Sequence, residues 1–154
     1  TCFALGDVKS GASRYAGGFV GGSVTGNNYS LYISDSYTSG FVSNTSEYHG
    51  SIVGYSYPNT TQISDVYYWN LGSDKVSNGS EFISGSKYKE FSYSDGIAVV
   101  TENKVQTSLT EILNNNQNAW EEAKCKLISG PVNKFDNEKF TIPVLKGMKP
   151  AFCD

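Results

Sequence analysis

Apolar residues in the first half of this chain come in short pieces: Gly18-Phe19-Val20-Gly21, Ser30-Leu31-Tyr32-Ile33, Ser51-Ile52-Val53-Gly54 and Asp65-Val66-Tyr67-Tyr68-Trp69. None carries a 3.6-residue stripe, and β-branched and aromatic residues dominate. Each piece predicts a strand of three to five residues. Gly and Asn punctuate them, supplying the positive-φ corners that turns require. Glycine at this density also argues against helix, where each interior Gly costs about 1 kcal/mol.

The second half follows another pattern. Ser108-Leu109-Thr110-Glu111 reads as a capping box, with an apolar stripe of Leu109, Ile112 and Leu113 behind it and the Asn114-Asn115-Asn116 run as its stop. Asn118 before Ala-Trp-Glu repeats the signal and predicts a second short helix to about Lys124. Ile97 to Val100 and Phe140 to Ile142 read as strands, the latter stopped by Pro143.

The short strands belong to an internal repeat. Gly6, Val8 and Tyr15 align with Gly40, Val42 and Tyr48, and Phe19-Val20-Gly21 aligns with Ile52-Val53-Gly54, at an offset of 34 shrinking to 33. Ile33-Ser34-Asp35-Ser36-Tyr37 matches Ile63-Ser64-Asp65-Val66-Tyr67 at an offset of 30. Cys2-Phe3-Ala4-Leu5-Gly6 matches Ser36-Tyr37-Thr38-Ser39-Gly40, so the chain opens in mid-repeat. A period of this size indicates a solenoid or similar array. Strands this short gain stability by stacking on their equivalents in the next coil, roughly 4.8 Å away. The expected fold is mainly β: a right-handed β-helix of 30–34-residue repeats over residues 1–70, with residues 71–154 as a small α+β cap packed on them.

Composition sharpens that division. Residues 1–70 hold six charges (Asp7, Lys9, Arg14, Asp35, Glu47 and Asp65) but nine of the eleven tyrosines and ten of the sixteen glycines. The more charged second half suits a cap, because an open coil end would template further strands. Net charge is −3 over 154 residues, too few cations to grip a phosphate backbone, so nucleic acid is not an expected partner. No apolar run approaches the roughly 18 residues of a spanning helix, and Thr1 to Gly6 lack the basic start and apolar core of a signal peptide. Membrane insertion is not expected. With one histidine and three cysteines the common zinc patterns are absent, as are the nucleophile-elbow, metalloprotease, dinucleotide and P-loop motifs. The expectation is a non-enzyme without cofactor or metal.

The repeats also resemble a known family. Gly18-Phe19-Val20-Gly21 and Ser51-Ile52-Val53-Gly54, each followed by Ile-Ser-Asp-x-Tyr, look like the GLUG motif of bacterial and protist surface proteins. Cys2 to Val8 looks like the link between such repeats. The stretch from Tyr67-Tyr68-Trp69-Asn70 through Ser94-Asp95-Gly96-Ile97 and Trp120 to Ile142-Pro143-Val144-Leu145 resembles the segment that follows the last repeat. Asp35 and Asp65 stand where these repeats often carry Asn. The resemblance implies a secreted or cell-surface, mostly non-catalytic segment of a large adhesin or surface peptidase.

Candidate sites follow from residue type. Asp35 and Asp65 are equivalent, and in adjacent coils their carboxylates would approach glycosidase spacing, although like repeats create like pairs without any catalytic role. His49 sits on a Tyr-His-Gly turn with no partner nearby in sequence. Tyr29, Tyr32, Tyr55 and Tyr57 are candidates for a face binding protein or glycan; Tyr37 and Tyr67 suit a ladder between coils. Asn28, Asn44, Asn59 and Asn78 head N-x-S/T sequons and are candidate glycosylation sites if the source is eukaryotic. In an oxidising compartment Cys125 and Cys153 are expected to pair and staple the tail over the cap, leaving Cys2 for an intermolecular bond. The N-terminal edge is expected to contact upstream repeats or a neighbouring copy. The leading reading is a structural or adhesion module; its rivals are a self-assembling filament subunit and a carbohydrate-active β-helix enzyme.

Overall fold

The repeat in the sequence is a repeat of strands. In the computed structural model, which describes residues 1–10, 15–23, 30–44, 48–69, 82–115, 117–126 and 138–154, a first set comprises β1 (Phe3–Ala4), β2 (Val8–Ser10), β3 (Tyr15–Gly17) and β4 (Val20–Ser23). A second set follows in the same order: β5 (Leu31–Thr38), β6 (Val42–Asn44), β7 (Tyr48–Gly50) and β8 (Val53–Ser56). Each strand pairs in parallel with its counterpart, β1 with β5 through β4 with β8. The registers are those of the sequence alignment. Val8 stands opposite Val42, Tyr15 opposite Tyr48 and Val20 opposite Val53, while the Phe19 N–H donates to the Ile52 carbonyl. A third pass, β9 (Thr61–Trp69), lies parallel to β5 with Ile33 opposite Ile63 and Tyr37 opposite Tyr67.

Strand accounts for 59% of the described residues and helix for 5%, so the chain is mainly β. The main sheet has the order β1-β5-β9-β10-β11-β14-β13, where β10 is Tyr88–Ser94, β11 Ile97–Glu102, β13 Trp120–Lys126 and β14 Lys139–Leu145; β12 (Val105–Ser108) pairs off β11. This sheet is a curled half-barrel, and neither a closed solenoid nor the expected β-helix is shown. It runs without a break from the repeats into the C-terminal half, because β10 pairs in parallel with β9.

The Ile-Ser-Asp-x-Tyr motif explains how one strand serves two cores. Asp35 and Asp65 both adopt positive φ, 46° and 54°, a conformation that Asp tolerates better than most residues. The side-chain alternation shifts by one at that point. Before it, Ile33 and Ile63 face a core that holds Ile52, Val53, Phe19 and Val20; after it, Val66 and Tyr68 face that core. Tyr37 and Tyr67 therefore point the other way, into a larger core with Phe91, Leu109, Trp120, Phe140, Ile142 and Val144. Phe3 stacks on Tyr37 with ring centres 6.0 Å apart, and the Tyr37 hydroxyl donates to the Pro143 carbonyl. Replacing Asp65 by glycine is expected to leave stability intact, whereas valine there costs about 1–2 kcal/mol. Equal thermal unfolding midpoints for the two variants would count against this account of the motif.

Two expectations in the C-terminal half need correction. The N-cap half of the expected capping box is present: Ser108 accepts from the Glu111 N–H at 3.3 Å and begins α1 (Leu109–Asn114), whose Leu109 and Leu113 are buried. The second predicted helix is not found: the stretch from Asn118 to Lys124 instead leads into strand β13. Every residue from Trp120 to Lys126 pairs with β14, and the Asn114 side chain bonds both backbone groups of Trp120. Tertiary pairing outweighs a local capping signal worth about 1 kcal/mol. Nor does Pro143 stop its strand. It stands opposite Glu122 inside β14, a placement that a proline survives only where no ladder bond requires its missing N–H.

Candidate functional site

The C-terminal tail closes one edge of the main sheet. Along the outer side of β13, the Asp154 N–H donates to the Lys124 carbonyl and the Lys126 N–H to the Phe152 carbonyl. Cys125 and Cys153, 28 residues apart, are joined by a disulfide with Cα atoms 4.0 Å apart, the pairing expected from the sequence. Lys139 forms an exposed ion pair with Asp154, which lowers that carboxyl's pKa through a direct hydrogen bond and the lysine's charge. Cys2 is an exposed free thiol beside β1.

At the β9–β10 junction the surface opens into two adjoining grooves. The larger, about 670 Å³, is lined by Asp65, Val66, Tyr67, Ser86, Lys87, Tyr88 and Lys89. The second, about 460 Å³, shares Tyr67 and Lys89 and reaches Glu102, Asn103 and Thr107. Lys89 forms an ion pair with Glu102 where the two meet. Burial, then Asp65, Glu102 and Asp35 in decreasing order, push the Tyr67 phenol up to about 12. At neutral pH it is therefore a protonated donor. Pairing brings the two equivalent aspartates to one region around Tyr67, but only Asp65 lines the groove. Carboxylate, amine and phenol together offer hydrogen bonds to a hydroxyl-rich ligand.

The Tyr67 shift has a consequence at high pH. The unfolded chain loses this proton near the ordinary value of 10.0, the folded chain near 12. Between those values the unfolded state binds fewer protons, so stability falls as pH rises from 10 to about 12; below 10 this contribution is constant. Tyr37 and Tyr93, both raised mainly by burial, act in the same direction. Urea unfolding midpoints across this range are expected to decline less steeply for Tyr67→Phe, and parallel declines would exclude Tyr67 as a source.

The other sequence candidates are dispersed. Tyr32 is 68% exposed on β5 and Tyr57 48% exposed at the turn before β9. Tyr55 is half-buried in a cluster with Tyr15 and Tyr48, ring centres 5.1–5.4 Å apart; Tyr29 lies outside the described residues. His49 is half-buried on β7, opposite Ala16. Asn59 is an exposed residue at positive φ, followed by Thr60, whose hydroxyl donates to the Tyr57 carbonyl. Asn44 ends β6 with its side chain outside the described residues, as are Asn28 and Asn78 entirely. Among the described residues no group of three His, Cys, Asp or Glu could hold a metal, and no helix is long and apolar enough to cross a membrane.

Sequence reasoning missed Lys87, Tyr88, Lys89 and Glu102. Nothing in the repeat points to them, since β10 is brought beside β9 by a pass that the repeat does not include. No family model, curated protein or solved structure matches this chain.

Proposed function

We propose that this chain is a non-catalytic structural or adhesion module of a secreted or cell-surface protein, its repeats forming a GLUG-like, right-handed β-helix. The observation that carries the reading is the parallel pairing of repeat on repeat in the alignment's own register. Such stacking builds a scaffold from strands that could not stand alone. The disulfide suits an oxidising compartment, and the exposed Tyr32 and Tyr57 offer contact surface for protein or glycan. A second reading, a carbohydrate-active enzyme, is favoured by one observation only: Asp65 lines an open groove beside Tyr67. A filament subunit remains the third.

Incubation with a panel of polysaccharides separates the first two. The module leaves every chain length unchanged; turnover that Asp65→Asn abolishes would replace it with the enzyme. Intact mass of the protein from its native cells addresses location. A Cys125–Cys153 bond is expected, and recovery from the cytosol with both thiols reduced would contradict the reading.

A further inference from the structure

Two glycines of the second coil are small because of the first. A Cβ on Gly40 would lie 2.0 Å from the Gly6 carbonyl oxygen, and one on Gly54 would lie 2.3 Å from the Gly21 carbonyl oxygen. Neither contact is relievable by a side-chain movement, since the obstacle is backbone. Gly6 and Gly21 occupy the equivalent positions one coil earlier, as the pairing of Val8 with Val42 and Val20 with Val53 shows. Here the constraint is missing. A Cβ on Gly6 would meet nothing within 4 Å, and one on Gly21 meets only its own coil, the Tyr15 carbonyl oxygen at 3.2 Å. Gly6 needs no positive φ either. At Gly6 a residue with greater β propensity would fit the edge as it stands, and at Gly21 the Tyr15 backbone would have to give by a few tenths of an ångström.

We propose that one further coil of the same repeat, supplied by polypeptide preceding Thr1, stacks in parallel on the edge formed by β1 to β4, its backbone carbonyls pressing on Gly6 and Gly21. The interface is a continuation of the one between the first two coils. Its chemistry is specified by that interface: an aromatic ring over Phe3, as Phe3 lies on Tyr37, and apolar residues level with Phe19 and Val20. In a second copy β6, β7 and β8 have an outer edge among the described residues, each standing in a two-stranded sheet, but no such surface accompanies them along the main sheet. There β5 is covered by β9, β9 by β10, and the outer edge of β13 by the disulfide-held tail. The inference rests on the reading of the repeats as stacked coils.

The test is a chain extended by a second copy of residues 1–34 placed ahead of Thr1, compared with the original chain by amide hydrogen exchange, each with and without Gly6→Val. Extension is expected to slow exchange in β1, β2 and β4 at least tenfold, and Gly6→Val to abolish that gain while leaving the original chain's unfolding midpoint unchanged. Unchanged exchange in β1 to β4, with β5 and β9 still protected, would overturn the inference and leave the stacked-coil reading standing. Unprotected β5 and β9 would overturn both. Sedimentation adds the remaining outcome: an original chain that dimerises, and that Gly6→Val makes monomeric, takes a second copy at this edge and contradicts the proposal.

Discussion

Replacing Trp120 by alanine is expected to destabilise the protein by about 3–5 kcal/mol, the range for truncating a large aromatic in a core. Trp120 is 1% exposed and lies where the C-terminal strands meet the repeats, with ring centres 5.8 Å from Tyr37 and 6.1 Å from Phe3. The cavity would adjoin β1, the edge strand of the sheet, so Phe3 should loosen first. Trp120→Phe is the informative companion. Among the described residues the buried indole Nε1 has no hydrogen-bond partner, and phenylalanine removes that donor while keeping most of the apolar contact. Its cost should be well under half that of alanine. Denaturant unfolding measures both; equal losses would show that the indole makes a bond that its neighbours do not supply here.

The second large effect concerns the disulfide. Closing a loop of 28 residues contributes about 3.5 kcal/mol in the chain-entropy model. Cys125→Ser combined with Cys153→Ser is therefore expected to lower the midpoint of thermal unfolding by roughly 10 °C for a domain of this size. The loss should be concentrated at one edge. The backbone bonds from Asp154 to Lys124 and from Lys126 to Phe152 would exchange quickly, exposing β13 to pairing with other strands. An unchanged midpoint would mean that the tail is held by those bonds and the Lys139–Asp154 ion pair alone.

What the sequence made legible was whatever depended on spacing. The offset between Val8 and Val42, or Ile33 and Ile63, is the register of the strands themselves, because equivalent strands of the repeats pair like with like. The helix N-cap at Ser108 was readable because it is local. Residues 118–126 were not, since their conformation is decided by β14 and by the Asn114 side chain rather than by their own pattern. Pro143 misled for the same reason: whether a proline ends a strand depends on which neighbour needs its N–H. The aspartates were read for charge, but their first role is conformational. Positive φ at Asp35 and Asp65 turns Tyr37 and Tyr67 towards the C-terminal core, which buries the Tyr37 ring completely and leaves Tyr67 at the wall of the groove. The groove at Tyr67 was illegible because Lys87 to Lys89 reach it through a pairing outside the repeat.

The central claim is that the repeats stack in register, and the pair Ser34 and Ser64 tests it most directly. Both side chains are exposed, and the two residues stand opposite each other on β5 and β9. With Cys2 replaced by serine, cysteines at positions 34 and 64 can carry nitroxide labels without disturbing either core. Stacked strands place those backbones on the order of 5 Å apart, so the doubly labelled protein should show strong dipolar broadening relative to the sum of its singly labelled forms. A spectrum equal to that sum would contradict the stacking.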